Sequence, residues 1–167
     1  LVTLDPDAMV GWAAENGMSG SSYADVVESV RLMEENENDV VRRWRKFVAY
    51  VERDILPPHG GRLVKSHGDG ILLEFPVVPP AAKAAFAVQK AVADVNNGVM
   101  PSQHIHLRMG MHCGRLIEDD RDVYGAGVNL ASRLTGLAGP GEIVVSADVR
   151  DQLTPVLDAD IEDLGAC

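Results

Sequence analysis

Between Arg62 and Phe75 the chain reads Arg-Leu-Val-Lys-Ser-His-Gly-Asp-Gly-Ile-Leu-Leu-Glu-Phe. Two apolar-rich runs flank a tight Gly-Asp-Gly turn, the pattern of a β-hairpin carrying a carboxylate at its tip. Gly68 and Gly70 let the backbone bend there without a Cβ clash, which leaves Asp69 exposed at the turn. On its own this is an ordinary hairpin, and its interest depends on what the rest of the chain brings to it.

Helical patterns lie on either side. Glu34-Glu35-Asn36-Glu37-Asn38 places acidic residues where a helix begins. Val40, Trp44, Phe47, Val48, Val51 and Ile55 then recur at three- and four-residue spacing as one apolar stripe. Pro57-Pro58 stops that helix, and Gly60-Gly61 turns the chain into the hairpin. Pro79-Pro80 starts a second helix with Ala81, Ala85, Val88, Val92 and Val95 on one face, ended by Asn96-Asn97-Gly98. Alternation from His104 to His112 predicts a strand. Residues 127–137 suit a third helix, Ile143-Val144-Val145 a buried strand, and residues 147–153 a short helix. A short strand over residues 22–27 precedes all of these. The order predicts an α+β, ferredoxin-like sandwich: a mostly antiparallel sheet with helices packed on one face.

The totals narrow the function. A chain of 167 residues, 46% hydrophobic and 24% charged, is expected to form one folded domain with a real core. Met18-Ser19-Gly20-Ser21-Ser22 looks like a flexible run, and residues 1–21 read as an N-terminal segment or linker, with 22–167 as the domain. The net charge of −10 argues against nucleic acid or an anionic membrane as partner. A polyanionic small molecule stays open, because metals and arginines reverse the sign locally. Cys113 and Cys167 make no disulfide framework, and no signal peptide or membrane-length apolar run is present, so a cytoplasmic setting is expected.

Candidate chemistry is spread over four segments. Asp25 and Asp69 each sit at a strand end or turn. Two carboxylates on adjacent strands would suit Mg²⁺ or Mn²⁺, hard cations that take oxygen ligands and keep positions open for phosphate oxygens. A pair of solvated turn aspartates is the competing explanation. Lys65 and Asp122 offer a donor and an acceptor that could read a base edge, or could be a surface pair of little weight. Asn129 and Arg133, at i and i+4, share one helix face, where Arg could clamp a phosphate and Asn hold a ribose. An ordinary polar helix surface would look the same. The five histidines show no metal-ligand spacing, no Gly-x-Ser-x-Gly elbow occurs, and Gly60-Gly61 precedes no phosphate-loop Lys.

Taken together, Ala24-Asp25-Val26-Val27, the run from Gly60 to Gly70, Arg108-Met109-Gly110-Met111-His112-Cys113-Gly114 and the run from Asp122 to Arg133 resemble the catalytic domain of class III nucleotidyl cyclases. The resemblance extends over about residues 23–165, in the family's order and spacing. It implies that Asp25 and Asp69 are the metal-binding pair, holding two Mg²⁺ or Mn²⁺ ions per site. It implies that Lys65 and Asp122 select adenine, that Asn129 orients the ribose, and that Arg133 stabilises the transition-state phosphate. The implied reaction converts ATP to 3′,5′-cyclic AMP and pyrophosphate. It also implies a homodimer in which each site draws its metal ligands from one subunit and the other four residues from its partner.

The sequence departs from the family's pattern in three places. Glu28 stands where a Gly usually meets the triphosphate. The strand before Asp25 is Gly-Ser-Ser-Tyr rather than apolar, and Asp7-Ala8-Met9-Val10-Gly11 is a rival first metal loop that lacks the family's spacing to Asp69. The sequence also ends before the family's last hairpin, with its phosphate-contacting Lys. The alternative expectation is therefore a weakly active cyclase-like module that binds nucleotide or dimerises, or a cyclase for another nucleotide such as GTP.

Overall fold

The computed structural model describes residues 20–26, 29–113, 117–118, 123–124 and 126–155. Five strands form the main sheet: β1 (Gly20–Val26), β2 (Arg62–His67), β3 (Gly70–Phe75), β4 (Leu107–Cys113) and β7 (Ile143–Val145), in the order β2-β3-β1-β4-β7. Every ladder is antiparallel except β4–β7. A separate two-stranded ladder joins β5 (Ile117–Glu118) to β6 (Val123–Tyr124). The helices are α1 (Ser29–Tyr50), α2 (Val78–Val95), α3 (Ala126–Leu137) and α4 (Ala147–Leu153). The α+β class and the mostly antiparallel sheet are as the sequence predicts.

Opposite residues in a ladder share a face, so the register sorts the sheet into two sides. Ile71, Leu73 and Phe75 of β3 and Leu107, Met109, Met111 and Cys113 of β4 point into the main core. The expected α1 stripe of Val40, Trp44, Phe47, Val51 and Ile55 meets them there, with Ala81, Ala85, Val88 and Val92 of α2 and Val149 and Leu153 of α4. These helices cover one face, as expected.

Helix α3 adds to that picture by crossing the other face. A Cβ on Gly110 would lie 2.2 Å from the carbonyl oxygen of Ala131 and 2.5 Å from the backbone nitrogen of Thr135. Gly110 alternates with the core-facing Met109 and Met111, so α3 lies on the side away from the core. Ala131, Leu134 and Ala138 of α3, and Leu72 of β3, are buried without belonging to the main cluster.

Several details differ from the sequence-based expectation: β1 spans Gly20–Val26 rather than residues 22–27, and others differ for a local reason. Helix α1 starts earlier, at Ser29, but Asn36 adopts extended backbone (φ −161°, ψ 70°) and breaks it within the acidic run. Beyond Tyr50 the helix continues as a π-helix, Val51–Ile55, closed by the Leu56 N–H donating to the Val51 carbonyl at 2.9 Å, just before Pro57. The strand expected from His104 begins at Leu107. Buried Asn96 takes the Ile105 backbone instead, accepting from its N–H and donating to its carbonyl, both at 2.8 Å. Ile143–Val145 forms a strand only partly buried, because β7 is an edge with a neighbour on one side.

Candidate active site

The turn between β2 and β3 is a two-residue loop, Gly68-Asp69, closed by the pairing of His67 with Gly70. Gly68 has φ +60°, in the left-handed region that glycine enters without strain. Asp69 is part-exposed at the tip, as expected. The register then brings the first candidate carboxylate to it. Asp25 lies opposite Gly70 in the β1–β3 ladder and opposite Arg108 in the β1–β4 ladder. Thus Asp25 and Asp69, far apart in sequence, end up at one end of the sheet, Asp25 on β1 and Asp69 in the turn that enters the neighbouring β3.

The same register defines two rows of residues on the α3 side. His67, Gly70, Asp25 and Arg108 make the row nearest the turn, and Lys65, Leu72, Tyr23 and Gly110 make the next. Lys65 reaches its row only through a β-bulge. Leu63 pairs with Leu73 and packs on the core, whereas Lys65 pairs with Leu72, so Val64 is an extra residue in the strand. Strict alternation from Leu63 would have put Lys65 on the core face. The bulge instead leaves it exposed, on the side that carries α3.

Asn129 and Arg133 lie on α3, and the helix fixes their direction. Ala131, Leu134, Thr135 and Ala138 are buried against the sheet, and the Thr135 hydroxyl donates to the Ala131 carbonyl at 2.9 Å. Asn129 and Arg133 fall on the opposite side of the helix and are exposed. They are brought together with one another and turned away from the sheet that holds Asp25 and Asp69. Asp122 and Glu28 lie outside the described residues.

Sequence reasoning gave no role to two residues that the structure places here. Arg108, part-buried, stands directly across β1–β4 from Asp25. Its signal was its place within a strand whose neighbours Leu107 and Met109 are core, which puts it on the other face. Trp44 counted only as a stripe residue, yet its indole Nε1–H donates to the Gly68 carbonyl at 3.1 Å, tying α1 to the turn.

The donor chemistry is compatible with a hard divalent cation. No group of three or more His, Cys, Asp or Glu able to hold a metal occurs among the described residues. Two carboxylates at one end of the sheet would leave the remaining coordination positions to phosphate oxygens and water. Cys113 is no competitor for a softer metal. It is buried, burial pushes its thiol pKa up, and its sulfur accepts from the Gln152 side chain at 3.1 Å. No helix among the described residues is long and apolar enough to cross a membrane.

Comparison with known proteins identifies the family. A Rhizobium meliloti protein, provisionally named adenylate cyclase 3, is 34% identical over 146 residues, covering 85% of this chain and 24% of its own length. An adenylate cyclase of Streptomyces coelicolor is 31% identical over 137 residues, covering 82% of this chain and 34% of its own. The chain thus spans about a quarter to a third of the length of these curated relatives. An adenylate/guanylate cyclase/hydrolase structure from Silicibacter pomeroyi superimposes with a TM-score of 0.77 at 29% identity, covering 89% of this chain and 86% of that one. The family described as the adenylate and guanylate cyclase catalytic domain matches residues 20–166. By that match the chain belongs to the adenylate and guanylate cyclase catalytic domain family.

Proposed function

We propose that the chain is the catalytic domain of an adenylate cyclase, converting ATP to 3′,5′-cyclic AMP and pyrophosphate at sites shared by two copies. The observation that carries this reading is the pairing of Asp25 with Gly70, next to Asp69 at the hairpin tip. Relatives named adenylate cyclase support the choice of ATP.

Asp25 and Asp69 would hold two Mg²⁺ or Mn²⁺ ions. Bound there, these would lower the energy of the 3′-oxyanion and neutralise the triphosphate. Arg108, on the same face, adds positive charge beside them for the phosphates. The ribose 3′-oxygen attacks the α-phosphorus in line, its proton passes to water, and the bond to the bridging oxygen breaks as pyrophosphate leaves. Asn129 holds the ribose so that this oxygen faces the phosphorus. Arg133 meets charge that grows only in the transition state, so it acts on rate more than on binding. Lys65 and Asp122 read the adenine edge.

The outward direction of Asn129 and Arg133 supports a shared site. They face away from their own sheet, so a second copy is the natural source of the carboxylates they would serve.

The test is incubation with each of ATP, GTP, CTP and UTP plus Mn²⁺, with the products identified. Cyclic AMP from ATP is expected. Cyclic GMP as the main product would overturn the base assignment. No cyclic product from any of the four, with the protein shown to be dimeric, would favour a nucleotide-binding module, to which Glu28 would then be the first sequence pointer.

A further inference from the structure

We propose that Trp44 is a positioning residue for the Asp69 carboxylate: its indole N–H holds the peptide joining Gly68 to Asp69 in one of two available orientations. This rests on the reading of Asp69 as a metal ligand.

The peptide in question is the middle one of a two-residue hairpin loop. The two turn types that suit such loops, I′ and II′, are related by a flip of this peptide. Both have positive φ at the first loop residue, so Gly68 at φ +60° fits either one. They differ at the second, where the flip changes the sign of φ and swings the side chain. Asp69 occupies that second position. The carboxylate's direction is therefore set by which way the Gly68 carbonyl points.

The turn has a modest bias of its own, because type I′ would put Asp69, a residue with a Cβ, at positive φ, a cost that Asp bears better than most residues. A Cβ added at Gly68 would find no atom within 4 Å, so no neighbouring atom crowds the loop there. The Trp44 N–H acts on the choice from outside the hairpin, meeting the Gly68 carbonyl at 3.1 Å. Trp44 is itself well held. It is 6% exposed, and its ring stacks on Phe47 at a centroid distance of 5.6 Å and an interplanar angle of 29°. A donor fixed in the core and an acceptor on a permissive turn make the core the template for the turn.

If the bond only satisfied a buried indole, its loss would affect stability alone. If it orients Asp69, its loss divides the turn between two orientations, and metal affinity falls by the fraction left competent. The test uses Trp44→Phe, and a protein in which Trp44 is replaced by benzothienylalanine, which keeps the bicyclic shape and lacks the N–H. Mn²⁺ binding is read by electron paramagnetic resonance in the presence of 3′-deoxy-ATP, which cannot cyclise. We expect both proteins to bind Mn²⁺ up to about twofold more weakly, the loss set by the share of turns left in the competent orientation, with affinity for 3′-deoxy-ATP at saturating Mn²⁺ retained. Should Trp44→Phe fail to fold, the isostere decides. Parent-like Mn²⁺ binding in the isostere, or an equal weakening of metal and nucleotide, would overturn the proposal. Asp69→Asn separates the two levels: unchanged Mn²⁺ binding there would overturn the metal reading itself.

Discussion

Asp25 and Gly70 face each other across the β1–β3 ladder, and Gly70 is the first strand residue after Asp69. One backbone pairing thus determines how close the two carboxylate positions come. The pairing is independent of any ligand, so the arrangement is built into the fold.

Replacing Asp69 with Ala should lower turnover roughly hundredfold or more and leave the fold nearly intact. The residue sits part-exposed on a turn, so little packing is lost, while a ligand for the catalytic ions disappears. Initial rates with Mn²⁺-ATP and a thermal unfolding curve check both halves. Near-parent turnover would refute the assignment.

An Asp69→Ala protein mixed with an Arg133→Ala protein should regain activity that neither has alone. Each mixed dimer would hold one site with both carboxylates and the outward Arg133 of the other copy. Rates measured on the mixture, with heterodimers verified, test this. Verified heterodimers with no recovered activity would contradict sharing.

Base choice should favour ATP over GTP by at least roughly tenfold in kcat/KM, given about 1–3 kcal/mol for leaving a buried polar pairing unmade. Adenine offers an amino donor at position 6, suited to Asp122, and a ring acceptor at position 1, suited to Lys65. Guanine reverses both. Lys65→Glu should erode the preference, as competition between the two nucleotides would reveal. Equal use of both by the parent protein would sink the assignment.

Gly110→Ala should destabilise the protein by about 1–3 kcal/mol and impair catalysis through the displaced helix. Its Cβ would meet the backbone of Ala131 and Thr135, atoms that can yield only if α3 moves, carrying Asn129 and Arg133 with it. Gly136→Ala is the contrast. Its Cβ meets nothing within 4 Å, so the helix should gain up to about 1 kcal/mol. Denaturant melts of the two variants should move in opposite directions.

Much of the framework was legible because it depends on local signals. The stripe through Val40, Trp44 and Phe47, the Pro79-Pro80 start and the Gly-Asp-Gly turn are each set by nearby residues. The illegible parts depend on partners distant in the chain. β1, central in the sheet, is written in small and polar residues, Gly20-Ser21-Ser22, and is a strand because β3 and β4 pair with it on either side. The side of the sheet that α3 occupies follows from a single missing side chain at Gly110. Arg108 drew no role because its relation to Asp25 exists only in the register. Asn96 could be read as a helix stop, but not as the substitute hydrogen-bonding partner that delays β4.

The extra residue in β2 has a consequence for how this strand tolerates change. Losing a residue from a strand ordinarily throws everything beyond it out of phase and turns its core inside out. At Val64 the opposite holds. With that residue removed, Leu63 remains opposite Leu73, Lys65 remains opposite Leu72, and the ladder closes as a regular one. The strand would surrender local twist and keep its phase. It carries a spare position, so length can vary there without scrambling the row on which Lys65 stands.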